Sequence, residues 1–126
     1  MLQFIRERLA SFQWAIKGIL DLYQHHPNAQ VHLLATCLVI PTGILVQLSA
    51  IEWCLILLCI VLVTAMEAMN SAVEYLADKV SPEHDELIGK AKDIAAGAVF
   101  LCSIGAASVG CILLLPKVVA LFGGLF

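Results

Sequence analysis

From Ile94 to Leu115 the chain runs 22 residues without a charge. Trp53 to Met66 is a second uncharged run, of 14 residues, and Val31 to Leu48 is a third apolar stretch. No other feature limits the fold so strongly. A single apolar run is compatible with a core helix of a soluble domain, because about 20 apolar residues span a bilayer and fewer fill a core. Three of them in 126 residues are not, since a chain that is 61% hydrophobic and 13% charged has no interior large enough to hide them. The expected fold is therefore an all-α membrane protein of one domain, residues 1–126, with three transmembrane helices.

The first 25 residues belong to a different kind of helix. At 100° per residue, Gln3, Arg6, Glu7, Gln13, Lys17, Asp21 and Gln24 fall on one side. Leu2, Ile5, Leu9, Phe12, Ile16, Ile19, Leu20 and Tyr23 fall on the other. Arg8 and Trp14 break the pattern. With three spans following, this amphipathic stretch is expected to lie on the membrane surface, apolar face down. Its interspersed charges leave no uninterrupted apolar core of the kind a cleaved signal peptide carries. The "HHPN" turn, His25 to Asn28, should end it, because Pro27 disfavours helical geometry at His26; Asn28 is the expected cap of the next helix.

The spans are expected at 31–48, 51–78 and 92–115. Pro41 sits inside the first, where a membrane helix tolerates it. A short turn, "QLSAIEW", leads to the second, with Trp53 at interface depth. "KVSPEHDELIGK", Lys79 to Lys90, reads as a polar connection punctuated by Pro82 and Gly89, with Ser81 capping a short turn that contains Glu83. Pro116 and Lys117 should stop the third span. The five cysteines lie in apolar runs with no CxxC spacing and read as small buried hydrophobes, not disulfides or metal ligands.

Six of the seven basic residues precede the first span or lie between the second and third. The positive-inside rule puts those segments in the cytoplasm. A net charge of -3 with no basic run leaves nucleic-acid binding without an electrostatic footprint.

The end of the second span carries the chemistry. In "EAMNSAVEYLAD", Glu67 to Asp78, the residues Glu67, Asn70, Ser71, Glu74 and Asp78 fall within a sector of about 100°. Ionisable groups at such depth are costly and normally face a bundle interior or a water-filled site. A solvated cytoplasmic face would account for Asp78 and Glu74, but poorly for Glu67, which directly follows the apolar run. A proton or ion path usually has a charge near mid-span, and Trp53 to Met66 has none. Stacked carboxylates can instead hold a divalent metal through oxygen and accept a proton from a nucleophile. Lys90, Lys92 and Asp93 stand on the same membrane face, and the small residues Ala95 to Ala98 let another helix approach. Together these are the parts for phosphoryl transfer onto a lipid alcohol. No GxxxxGK[ST] loop is present, so a nucleotide site would have to be assembled from helices.

"EAMNSAVEYLAD" followed by "SPEHDELIGKAKDIAAGAV" resembles the signature of the prokaryotic diacylglycerol kinase family, which includes undecaprenol kinases of similar size. The resemblance covers nearly the whole chain, from "WAIKG" in the surface helix through the three spans. It implies a homotrimer with active sites shared between protomers, ATP and magnesium as cosubstrate and cofactor, and a lipid primary hydroxyl as acceptor. It implies Glu67 as general base with Asn70 as its amide neighbour, Glu74 as metal ligand, Asp78 as the acid closing the motif, and Lys92 and Asp93 as nucleotide contacts. Family members usually carry glutamate where this chain has His26, and often arginine where it has Gln30; Asn28 and His32 fit the undecaprenol kinase type. His26 would then either reach the nucleotide by a hydrogen bond to phosphate or stand as a solvated turn residue.

The expected function is thus an ATP- and magnesium-dependent lipid kinase of the bacterial inner membrane, acting on diacylglycerol or undecaprenol, with the amino terminus and the 79–92 connection cytoplasmic. Two other readings stand beside it: a catalytically silent family member that binds nucleotide or lipid, and a small proton-coupled carrier using the same stripe. ATP-dependent labelling of a membrane lipid separates both from a kinase.

Overall fold

The computed structural model describes residues 1–81, 83 and 85–123. Four helices follow one another: α1 (Leu2–His25), α2 (Pro27–Leu45), α3 (Ala50–Val80) and α4 (Glu86–Gly123). The last three are long and apolar enough to cross a membrane. The chain is a multi-pass membrane protein with an amino-terminal helix ahead of the spans.

α1 is exposed along nearly its whole length, and Leu22, near its end, is its one buried residue. Its apolar face is left uncovered by the other described helices, and a bilayer surface would cover it. The chain turns at His26, whose extended backbone (φ -109°, ψ 107°) ends α1 and caps α2 at once. Asn28 is not the cap. Pro27 occupies the first helical position, where its missing N–H costs nothing and its fixed φ suits the helix. Gln30, at the second departure from the family pattern, donates from Nε2 to the Tyr23 carbonyl at 3.1 Å and ties α2 back to α1.

α2 ends at Leu45, three residues before the expected limit of the first span. Gln47 adopts a left-handed φ of 54°. Leu48 N then donates to the Gly43 carbonyl at 3.0 Å, and Gln47 N donates to the Ile44 carbonyl at 3.1 Å. This pair of bonds closes a helix end firmly. Gly43 is required there: a Cβ would meet Leu48 Cδ1 and Trp53 Cη2 at 2.9 Å. Trp53 thus packs against α2. Ser49 then starts α3 by a reciprocal cap, in which Ser49 N donates to Glu52 Oε2 at 2.7 Å and Ser49 Oγ accepts from Glu52 N at 3.4 Å.

α3, with 31 residues, is about 46 Å long at 1.5 Å per residue, more than the roughly 30 Å hydrocarbon core. That length leaves room for its final turns to extend past the hydrocarbon core. The polar connection is shorter than the sequence suggests. Asp85 Oδ1 accepts from Leu87 N at 2.9 Å and from Ile88 N at 3.0 Å, so α4 begins at Glu86 and Gly89, Lys90 and Lys92 are helical. Ser81 Oγ does bond within the turn, to the Glu83 carbonyl at 2.8 Å; Pro82 lies outside the described residues. Pro116 does not stop the third span, and α4 continues through it to Gly123. Membrane helices absorb such a proline by local adjustment.

α3 and α4 form the most extensive helix pair. Two ion pairs set their antiparallel register. Lys92 Nζ donates to Asp78 Oδ1 at 2.9 Å at one end, and Lys117 Nζ donates to Glu52 Oε2 at 2.9 Å at the other. The cysteines are not buried within the protomer. Cys37, Cys54 and Cys111 are exposed, and Cys59 and Cys102 are half-buried. An apolar side chain on a membrane helix need not face protein, because lipid accommodates it equally well.

Candidate active site

The polar stripe on α3 grades from buried to exposed toward the end of the helix. Glu67 is 2% exposed and Asn70 and Ser71 are also buried, while Glu74 is half-buried and Asp78 exposed. A side chain of Glu67's size buried between apolar helices demands a polar purpose. Its Oε2 has no hydrogen-bond partner among the described residues, nor does Asn70 Oδ1. Both residues line one cavity of about 320 Å³, together with Asn28 and His32 from α2 and Ala96, Val99, Phe100 and Ser103 from α4. His32 and Ser103 also line a larger apolar groove of about 500 Å³ that runs along α2, α3 and α4, past Val63 to Val118. The cavity at Glu67 thus adjoins the apolar groove, the two sharing His32 and Ser103.

Asn70 connects that cavity to the next carboxylate. Its Nδ2 donates to Glu74 Oε1 at 3.0 Å, one helical turn on. The other oxygen of Glu74 lies 3.7 Å from His26 Nδ1. His26 is not a solvated turn residue: its side chain is 12% exposed, and its ring meets the edge of Tyr75 at a centroid distance of 5.1 Å. Tyr75 OH in turn donates to Asp21 Oδ2 at 2.7 Å. Asp21 also lies 3.0 Å from His25 Nδ1. The Tyr75 hydroxyl, with His25 and His26 nearby, holds the Asp21 carboxyl below the ordinary carboxylate range. The surface helix is thereby tied to α3 beside Glu74.

The predicted residues fall into two groups. His26, Glu67, Asn70 and Glu74 form one connected set along α3 and the α1–α2 corner. Lys92 and Asp78 form a second pair farther out, bonded to each other. Asp93 is exposed and joins neither among the described residues. Sequence reasoning missed the Asp21–Tyr75 clasp, the Glu52–Lys117 pair and Ser103. Only the two charges in the apolar flanks of α3 and α4 offered a signal, since a lone acid and a lone lysine at the same end of two neighbouring spans tend to pair.

Magnesium takes oxygen ligands and is usually held by one or two carboxylates plus substrate phosphates. Among the described residues no three His, Cys, Asp or Glu side chains gather into a cage for a metal. Glu74, half-buried and facing the open end of the stripe, fits a metal delivered with a nucleotide rather than a resident one.

Residues 13–114 match the model of the prokaryotic diacylglycerol kinase family. An undecaprenol kinase of Bacillus subtilis is 38% identical over 107 residues, covering 85% of this chain and 87% of the relative. A diacylglycerol kinase of Haemophilus influenzae is 31% identical over 97 residues, covering 75% and 82%. A diacylglycerol kinase of Escherichia coli is 30% identical over 107 residues, covering 85% and 86%. The buried acid beside an apolar groove and these matches agree, and the chain belongs to the prokaryotic diacylglycerol kinase family of membrane lipid kinases.

Proposed function

We propose that this protein transfers the γ-phosphoryl group of ATP to the primary hydroxyl of a membrane lipid alcohol, a diacylglycerol or a polyprenol, at the cytoplasmic face of the bacterial inner membrane. The observation that carries the reading is Glu67, a buried acid whose Oε2 has no partner among the described residues, lining a cavity that adjoins an apolar groove. A lipid alcohol has the matching form, one hydroxyl on a long apolar anchor. The similar undecaprenol kinase and diacylglycerol kinases support both acceptor types.

In this reading the lipid oxygen attacks the γ-phosphorus in line. A new O–P bond forms, the bond to the bridging oxygen breaks, and ADP leaves. Glu67 takes the hydroxyl proton. Asn70 holds Glu74 through its 3.0 Å bond and so fixes the second acid relative to the first. Glu74 would hold magnesium, which neutralises charge on the transferring group when bound. His26, beside Glu74, donates to a phosphate oxygen in place of adding a carboxylate. Lys92, kept in position by Asp78, and Asp93 contact the nucleotide farther out. Most of the acceleration comes from positioning and fixed charge.

We read the assembly as a homotrimer with shared sites. The small-residue stretch of α4 supports this, since a Cβ at Gly97 would meet nothing within 4 Å and a neighbouring protomer's helix has room to approach. The test is to incubate the purified protein with labelled ATP, magnesium and extracted membrane lipids. A labelled lipid is the expected result, and its identity names the acceptor. ATP bound without any lipid product would favour a silent nucleotide-binding member and reject the kinase reading.

A further inference from the structure

The hydroxyl side chains of these helices do not all behave alike. Ser11, Thr36, Thr42 and Ser108 each donate to the carbonyl four residues earlier, at 3.0, 2.9, 2.8 and 2.8 Å. That back-bond is the common resting place of a hydroxyl within a helix. Ser103 does not take it. Its Oγ is buried and has no hydrogen-bond partner among the described residues. Ser103 instead lines a cavity with Glu67 and Asn70, whose Oε2 and Oδ1 are likewise buried and without a partner among the described residues. Three unsatisfied polar atoms around one cavity mark the place of a polar guest.

The three atoms specify the guest. A carboxylate oxygen and an amide oxygen only accept hydrogen bonds, whereas a serine hydroxyl also donates. An alcohol oxygen complements both kinds, with one proton to give and two lone pairs to receive. Depth agrees as well. The Asp78–Lys92 pair pins α3 to α4 at the outer end. Glu67 lies eleven residues back along α3, and Ser103 eleven residues on along α4. On antiparallel helices of equal rise, both stand about three turns below that pair. Beyond them the lining becomes apolar, and Ser103 with His32 marks the boundary.

We propose that Ser103 locates the acceptor hydroxyl: its Oγ–H donates to the lipid alcohol oxygen, whose own proton is directed to Glu67. This rests on the lipid kinase reading with Glu67 as base. One lone pair of the alcohol is held by Ser103 and the O–H is aligned on Glu67, which leaves the second lone pair free for the γ-phosphorus. Ser103 keeps its proton throughout. The site thereby selects alcohols against otherwise identical lipids, because a guest without a hydroxyl leaves all three protein atoms unpaired.

The test compares the full-length protein with S103A and S103T, using a short-chain diacylglycerol and its 3-deoxy analogue, and a short polyprenol and its terminally deoxygenated analogue. In the alcohol that is phosphorylated, S103A should raise KM about tenfold while KM for ATP stays put. The inhibition constant of the matching deoxy analogue should not change, which also shows that the variant is folded. S103T, which keeps the hydroxyl, should recover most of the parent preference. An unchanged ratio of alcohol to deoxy affinity in S103A would overturn the proposal, as would an equal loss for both lipids. E67Q separates this from the underlying reading. If E67Q abolishes transfer and S103A keeps its discrimination, Ser103 alone is excluded. If E67Q transfers normally and S103A loses discrimination, the base assignment fails and the Ser103 contact stands.

Discussion

Replacing Glu67 by Gln keeps the shape of the side chain and removes its ability to take a proton. Glu67 is 2% exposed, so the exchange takes a carboxyl out of apolar surroundings and substitutes a neutral amide. Stability should not fall, because an unpaired buried carboxylate is the costlier of the two groups. Turnover should fall by about 100- to 10,000-fold, the usual range for loss of a general base. That corresponds to roughly 3–5 kcal/mol of lost transition-state stabilisation. The nucleotide should notice little. Glu67 and Asp78 are eleven residues apart on one helix, roughly 16 Å at 1.5 Å per residue, so KM for ATP should stay within about twofold. The assay is transfer of labelled phosphate to a lipid alcohol in mixed micelles at saturating ATP, with KM for ATP determined separately and folding followed by thermal unfolding. Turnover within a few-fold of the parent would remove Glu67 from the proton path. A large rise in KM for ATP with turnover preserved would instead move Glu67 to the nucleotide.

Glu74→Gln should raise the magnesium concentration for half-maximal activity by about tenfold, the equivalent of about 1.4 kcal/mol of charge-assisted ligation; an unchanged magnesium titration would exclude Glu74 as the ligand. Tyr75→Phe should loosen α1, seen as faster amide exchange over residues 15–25 at neutral pH, and equal exchange in parent and variant would show that the Asp21 bond holds nothing. Because that bond depresses the Asp21 pKa, its contribution is present above the ordinary carboxylate range and lost as pH falls through the lowered value, so the parent should approach the variant only in strong acid. On a cysteine-free background, Glu86→Cys should react with an impermeant thiol reagent from the cytoplasmic side and Ala50→Cys from the outside; the reverse pattern would separate the carboxylates from ATP and refute the proposed orientation.

The spans, the surface helix and the acid stripe were legible in the order of residues alone. A bilayer removes water as a hydrogen-bond partner, so a long uncharged run has no option but helix, and the period of that helix then places Glu67, Asn70 and Glu74 on one face. Local chemistry decided the ends less well. The α2 cap at His26, the left-handed Gln47 and the passage of α4 through Pro116 depend on which backbone groups find partners, and two plausible stops of similar cost compete at each place. What faces the stripe was not in the sequence pattern at all. Ser103 is one small polar residue in a run where any face would read alike. His26 and Asp21 lie far from Glu74 and Tyr75 along the chain. Their meeting follows from the register of α3 on α4 and from the corner between α1 and α2. That register is set by the Asp78–Lys92 and Glu52–Lys117 pairs at its two ends, because apolar side chains that lipid solvates as readily as protein cannot choose one alignment over the next by themselves.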